Sequence, residues 1–374
     1  VSAMNSTIAD RIPLVCRTKP PGTSLETRIA DLTALTVELP GADHHDEMAR
    51  ACGVLNFAAL IASDAGLPDM AAELCWKQHG IFAEAEHMAP DIAVMGLMPI
   101  VNIARLLIRE GDGNAAYDVL QRLYRAAQDR GATSIRDRDV DLAPWILTTG
   151  HHQKICTELW ITLLIDGARA LARQGRWTEA SQAMAAHRGI GNRLLDGRQI
   201  KIMSLLEEGC TDEAIATIDS TTPTEPWEKT VAALLRQAIQ PGSPAWKGMD
   251  RTVEETLALM RQPDPMTAAF RVRLGLTAFD LTADTGHATN LRAALIDVAA
   301  SDAYAARDVL GHAHVRGQMT GEEEDKLAGL LAAAFLGTRT LPTSRMDAVD
   351  AAVHAAEHQL RSLLRQDLPD RASP

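Results

Sequence analysis

The sequence predicts an all-α chain built of antiparallel helix hairpins. The first observation behind this is composition. The 374 residues are 46% apolar but only 4% aromatic, and Ala and Leu dominate. Small aliphatic side chains favour helix and allow helices to approach closely. The second is the scarcity of stretches rich in Val, Ile, Thr and aromatics at a period of two, so almost no sheet is expected. The third is internal repetition. Ile161–Thr217 holds two copies of one pattern: an apolar helix face, a turn glycine, and a second helix opening on a small residue. The turn glycines, Gly175 and Gly209, stand 34 residues apart.

Taken in order, Val1–Ser24 reads as a flexible leader, because Pro13, Pro20, Pro21 and Gly22 break any helix. A helix is expected over Leu25–Leu39, stopped by Pro40-Gly41. Asp43 is a candidate cap for a helix over His44–Ala65. Gly66 then turns the chain into a partner helix, Pro68–Phe82. With each turn glycine at position 15 of a unit, positions 8 and 20 are where the two helices touch and small side chains belong. They are Ala59 and Ala71 around Gly66, Ala104 and Ala116 around Gly111, Ala168 and Ala180 around Gly175, and Ile202 and Ala214 around Gly209. Around Gly286 the pattern weakens to Phe279 and Leu291.

Residues Arg130–Pro144 and Gln240–Lys247 read as loops. The second joins helices over Pro226–Gln240 and Met249–Arg261. Further helices are expected over Met266–Thr282, Ala288–Val298, Asp302–Arg316, Gly321–Leu336 and Ser344–Arg365. The last suits an end cap, with Val349, Val353, His354, Leu360 and Leu364 on its apolar face. Segments 25–224 and 225–366 are thus a regular repeat region and a set of irregular hairpins, before a disordered tail over 367–374.

On these residues the chain resembles the tetratricopeptide-repeat (TPR) family, whose repeat is 34 residues long. The resemblance is best over Ile161–Thr217 and extends to the units around Gly66 and Gly111. It implies a TPR-like right-handed α-solenoid whose first helices line a concave groove, and binding of a peptide or protein there. Length and acidity also resemble the sensor half of bacterial peptide-binding TPR regulators, although no DNA-reading helix-turn-helix is evident.

In such arrays the groove is lined by first-helix positions near 2, 5, 6 and 9. That register selects Asn56, Asn102, Arg105, Asp166, Arg169 and Gln199. A primary amide both donates to and accepts from a peptide backbone, and a guanidinium matches a carboxylate or phosphate. The competing reading is solvated polar positions, with Asp166 and Arg169 a surface pair. Arg193 and Arg198 belong to the most basic short stretch, His187–Lys201, which is either an anion dock or an ordinary helix–turn–helix link.

The expected function is a peptide- or protein-binding adaptor or regulator. An all-α enzyme or accessory factor is the alternative, with a site near His151, His152 and Cys156 or in the 188–201 segment. A structural scaffold is the third. Catalysis has little support: no GxSxG, CxxC or dinucleotide-binding glycine pattern occurs. No cofactor is expected, and no metal, since His152 and Cys156 supply at best two ligands of a set. A net charge of −12 argues against nucleic acid as a partner. No uncharged apolar run of spanning length argues against a membrane, and five scattered cysteines suit a reducing cytoplasmic setting. Homo-oligomerisation stays open, as does a groove filled by the chain's own leader.

Overall fold

A computed structural model describes residues 6–85, 87–240 and 248–366. It is predominantly helical. Helices α1 (Ser6–Ala9), α2 (Leu25–Leu35), α3 (His44–Asp64), α4 (Pro68–Ala83), α5 (Pro90–Glu110) and α6 (Gly113–Asp129) lead into strands β1 (Ala132–Ile135) and β2 (Arg138–Asp141). Helix α7 (Thr149–Thr162) runs through a π turn, Leu163–Gly167, into α8 (Ala168–Ala172). Then come α9 (Trp177–Ala186), α10 (Asp196–Glu207), α11 (Thr211–Asp219), α12 (Pro226–Ile239) and α13 (Met249–Met260). The chain continues as α14 (Ala268–Leu281), α15 (Thr285–Ala299), α16 (Ala303–Leu310), α17 (Ala313–Arg316), α18 (Gly321–Ala334) and α19 (Thr343–Gln366).

The chain forms two compact units. The first comprises Leu25–Ala170 and Phe335–Pro374, the second Val1–Ser24 and Leu171–Ala334. Both are discontinuous, and they cut across the segments 25–224 and 225–366. The boundary falls inside the repeat pair read as the organising stretch. The boundary cuts α8 between Ala170 and Leu171, just before Gly175, while α10 and α11, which flank Gly209, pack on each other within the second.

Four predicted turn glycines have the backbone their role demands. Gly66, Gly111, Gly175 and Gly209 sit at φ +81, +87, +71 and +79, where a side chain would be strained. Gly286 does not turn; it lies in the first turn of α15. The contact positions are buried as the register requires: Ala59, Ala71, Ala104, Ala116, Ala168, Ala180, Ile202 and Ala214 are each at most 5% exposed. Asp43 caps α3 by accepting from Asp46 N–H at 2.8 Å. Thr320 and Glu323 form a reciprocal cap on α18.

In the first unit, α3, α4, α5 and α6 pack in sequence, and α7 packs on both α5 and α6. Helix α5 is 21 residues long with a mean hydropathy of 1.8 over its most apolar window. By length and composition it could cross a membrane, but 61% of that window is buried inside the structure. The polar stretch expected as a loop is a short antiparallel hairpin pairing Ala132 with Asp141 and Ile135 with Arg138. Its turn residues Arg136 and Asp137 have positive φ. Ile135 and Val140 are fully buried, so two apolar anchors were enough to fold a segment whose other residues face water. Trp145, just past the hairpin, packs on His79 at 5.3 Å and Phe82 at 6.4 Å between ring centroids.

Within the first unit, helix α19 packs on α2, α3 and α4, at the other end of the unit's chain. Its buried face is Val349, Ala352, Val353, Ala356, Leu360, Leu363 and Leu364; His354 is exposed on the opposite side. Before it, Gly337 N–H and Arg339 N–H donate to the carbonyls of Asp64 and Ala65 at 2.7 and 2.6 Å.

In the second unit, α9 packs on α10, α10 on α11, and α13 through α16 form a cluster closed by α18. The expected helix Asp302–Arg316 is broken at Gly311, and His312 caps a short α17 by accepting from Val315 N–H. The leader is not loose. Ile8, Ile12, Leu14 and Val15 are buried, and the chain from Pro13 to Ser24, without regular helix or strand, belongs to this unit. Prolines exclude helix, as expected, but the segment's apolar residues supply burial enough to hold it. The expected loop Gln240–Lys247 lies outside the described residues from 241 on, as does the tail over 367–374.

Candidate functional site

The first unit carries a cleft of about 290 Å³ lined by Asn56, Leu60 and Ser63 of α3, Cys75 of α4, and Asn102, Arg105 and Arg109 of α5, among others. Three of the residues selected by the groove register meet here. They do so because α3 and α5 lie side by side and the spacing from Asn102 to Arg105 to Arg109 keeps all three on one helix face.

The polar groups form a connected chain. Asn102 Nδ2 donates to Asn56 Oδ1 at 2.9 Å. Arg105 donates from Nη1 to Asn102 Oδ1 at 3.1 Å and from Nε to Asp166 Oδ2 at 2.9 Å. Asp166 sits in the π turn, whose extra residue rotates the following face by roughly 100°. Gly167 in the same turn lets Tyr117 approach closely; a Cβ there would lie 3.2 Å from Tyr117 Cδ2. Arg169 is half-buried on α8 and does not line the cleft.

A second polar knot borders the same cleft. Arg109 donates to Ser63 Oγ and Asp64 Oδ1, both at 2.8 Å. Asp64 also takes Arg28 Nη2 at 2.8 Å, and that pair is 96% buried on both sides. Arg28 in turn lies over Phe57, with its guanidinium carbon 5.7 Å from the ring centre. Arg109, Ser63, Asp64 and Arg28 were not selected from sequence. Arg109 was legible, since it falls one turn beyond Arg105 on the face already chosen. Asp64 was not, because it looks like any carboxylate at a helix end.

Three guanidiniums meet two carboxylates, so one positive charge is left over. Arg105 and Arg109 keep 44% and 38% of their side chains exposed, whereas Asp64 is 4% exposed. The solvent-facing groups of the cleft are therefore mainly donors. Its thiol is no nucleophile, because burial pushes Cys75 up to about 12. The arrangement can hydrogen-bond a backbone and accept a negative group; it shows no nucleophile–base pair.

The remaining selected residues lie in the second unit, each engaged with groups of its own chain. Gln199 is fully buried. Its Nε2 donates to the carbonyls of Leu14 and Leu194, both at 2.8 Å, and its Oε1 accepts from Leu14 N–H at 2.7 Å. Arg193 pairs with Glu225 and with the buried Glu228. Burial alone would raise the Glu228 carboxyl, but donation from Arg193, Leu194 N–H and Thr224 holds it below the ordinary range. Arg198 donates to the carbonyls of Thr217 and Gly191 and to the hydroxyls of Ser220 and Thr221. Arg193 and Arg198 are thus both engaged inside the unit, and a Cβ on Gly197 would overlap the Gly189 carbonyl, whereas one on Gly191 would meet nothing within 4 Å.

His151 has both ring nitrogens engaged, with Thr148 Oγ1 at 2.6 Å and the Met88 carbonyl at 2.8 Å. His152 Nε2 lies 3.2 Å from the Gln128 carbonyl. A metal there would have to displace these bonds. Among the described residues no group of three or more His, Cys, Asp or Glu is arranged to hold one. No protein-family model matches the chain, and no curated protein or solved structure matches it.

Proposed function

We propose that the first unit binds an extended peptide segment of a partner in the cleft between α3 and α5, and that the protein works as a peptide- or protein-binding adaptor or regulator. The observation that carries this is the polar chain Asn56–Asn102–Arg105–Asp166, whose first three members line a cleft of about 290 Å³ from both α3 and α5. In this reading the two amides exchange their mutual bond for bonds to the peptide backbone, while Arg105 and Arg109 take an acidic side chain or a terminal carboxylate. Leu60 and Leu106 add apolar lining to the same cleft. The finer fold belongs to the same proposal: left-handed turn glycines with buried small residues at both contact positions support TPR-like hairpins in a right-handed solenoid.

The test is selection of a displayed random peptide library on the wild-type protein, with counter-selection on Arg105→Glu/Arg109→Glu. Enrichment of sequences carrying an acidic residue, lost on the double variant while its circular dichroism is unchanged, is the expected outcome. Failure to enrich any sequence that distinguishes the two proteins would sink the reading.

A further inference from the structure

The second unit holds a stretch of its own chain in the way a receptor holds a peptide. Residues 11–22 form a strap without regular helix or strand, and its contacts are of three kinds. The first reads backbone. Gln199 closes a two-point amide clamp on the N–H and C=O of Leu14, at 2.7 and 2.8 Å. Lys19 N–H donates to the Met266 carbonyl at 2.7 Å, and the Gly22 carbonyl accepts from Ala303 N–H at 2.9 Å. Gly22 N–H lies 3.3 Å from Asp302 Oδ1.

The second kind reads charge. Arg11 pairs with Asp280 at 2.7 Å and Arg17 with Asp196, and both carboxylates are more than nine-tenths buried. Lys19 Nζ stands 3.6 Å over the centre of the Tyr304 ring. Three basic side chains on the strap thus meet two buried carboxylates and an aromatic face.

The third kind reads shape. Ile12 and Leu14 are 3% and 1% exposed. Gly22 fits against α16 so closely that a Cβ would lie 3.0 Å from Tyr304 Cδ2 and 3.1 Å from its backbone nitrogen. The prolines at 13, 20 and 21 keep the strap extended before it docks, which lowers the entropy lost on binding.

We propose that the second unit is a binding site for an extended, basic peptide segment with an apolar anchor three residues before an Arg, and that residues 11–22 of this chain are its resident, exchangeable occupant. The buried Gln199 is the core of the site: its amide satisfies a backbone N–H and C=O whatever side chain the peptide carries there. Asp280 and Asp196, six residues apart along the strap's own pairing from Arg11 to Arg17, set the spacing of charges that the site selects. The site shares no residue with the cleft between α3 and α5 and stands independently of what that cleft binds.

Tethering gives the resident strap an effective concentration of about millimolar, so a free peptide competes poorly until the strap is weakened. The experiment uses the full chain and a fluorescein-labelled peptide of residues 11–22 carrying Cys16→Ser. Arg17→Glu sets a negative charge against Asp196 and loosens the strap without touching the groove. The expected result is binding of the labelled peptide at least tenfold tighter to Arg17→Glu than to wild type, abolished when Gln199→Ala is added. A second readout needs no variant. Burial, with Glu225 and Asp264 nearby, raises the Cys16 thiol above its ordinary value, so its alkylation in the wild type should be slow and should speed up as unlabelled peptide is added. If Arg17→Glu binds no peptide, or if it does not fold and wild-type Cys16 reacts at a rate independent of peptide, the strap is a fixed part of the fold and the proposal fails.

Discussion

Asp280 shows how one buried carboxylate can govern a docked segment. It is flanked by Arg11 Nη1 at 2.7 Å and His312 Nε2 at 2.9 Å. Burial works to raise its carboxyl, but the His312 hydrogen bond and the Arg11 charge outweigh it, and the net shift is below the ordinary value. A carboxylate depressed in the folded state lends stability that is present above its unfolded value, about 3.9. That stability is lost as pH falls from there through the lower folded value. The second unit should therefore loosen in acid, and Asp280→Asn should flatten the part of the pH profile below about 4 while lowering stability at neutral pH. Thermal melts of both proteins from pH 3 to 7 check this; parallel curves would contradict it. At the same scale the selected site residues divide by burial. Asn102 and Arg105 were legible because helical spacing puts them on one face of α5, and that face borders a cleft together with Asn56 of α3. Gln199 satisfied the same spacing, but only the fold reveals that its partner is Leu14, 185 residues away.

At the scale of elements, the turn glycines carry the most information per residue, because a left-handed backbone position excludes most alternatives. Gly111 has φ +87 and ψ 4 at the end of α5, and its N–H caps the helix on the Ile108 and Leu107 carbonyls. An added Cβ would meet nothing within 4 Å. Gly111→Ala should thus cost only the backbone term, roughly 1–2 kcal/mol. Gly66→Ala should cost about as much, since its Cβ would meet Arg339 Cγ at 3.4 Å and Gly337 Cα at 3.6 Å, which is ordinary van der Waals contact. Urea unfolding of the two variants checks this; a clearly larger cost at Gly66 would mean that the 337–339 segment cannot accommodate a methyl group. The elements that sequence reading missed lack such a marker. The β hairpin rests on two buried residues in ten, and Gly286 carries a glycine at the expected place but inside a helix.

For the whole molecule, the helices and their turn glycines were legible because they are local, whereas the pairing of distant segments was not. Nothing in Thr343–Gln366 announces that its apolar face fits α2, α3 and α4. That pairing makes the first unit discontinuous and sets a prediction that separates it from an open-ended array. In an array each repeat leans on its sequence neighbours, so removing the last helix frays only the adjacent ones. Here five Val and Leu side chains of α19 are buried in the first unit, worth on the order of 10 kcal/mol at about 1.5–3 kcal/mol each. That is comparable to the whole stability of a domain, about 5–15 kcal/mol. Lys77–Glu357 at 2.9 Å and Arg361–Glu84 at 3.3 Å add ion pairs at its edge. Truncation after Pro342 should therefore strip hydrogen-exchange protection from α3 and α4, more than 250 residues away in sequence, before it affects α16 and α18. Unchanged protection in α3 with loss confined to α18 would show that α19 is an accessory cap and that the first unit folds without it.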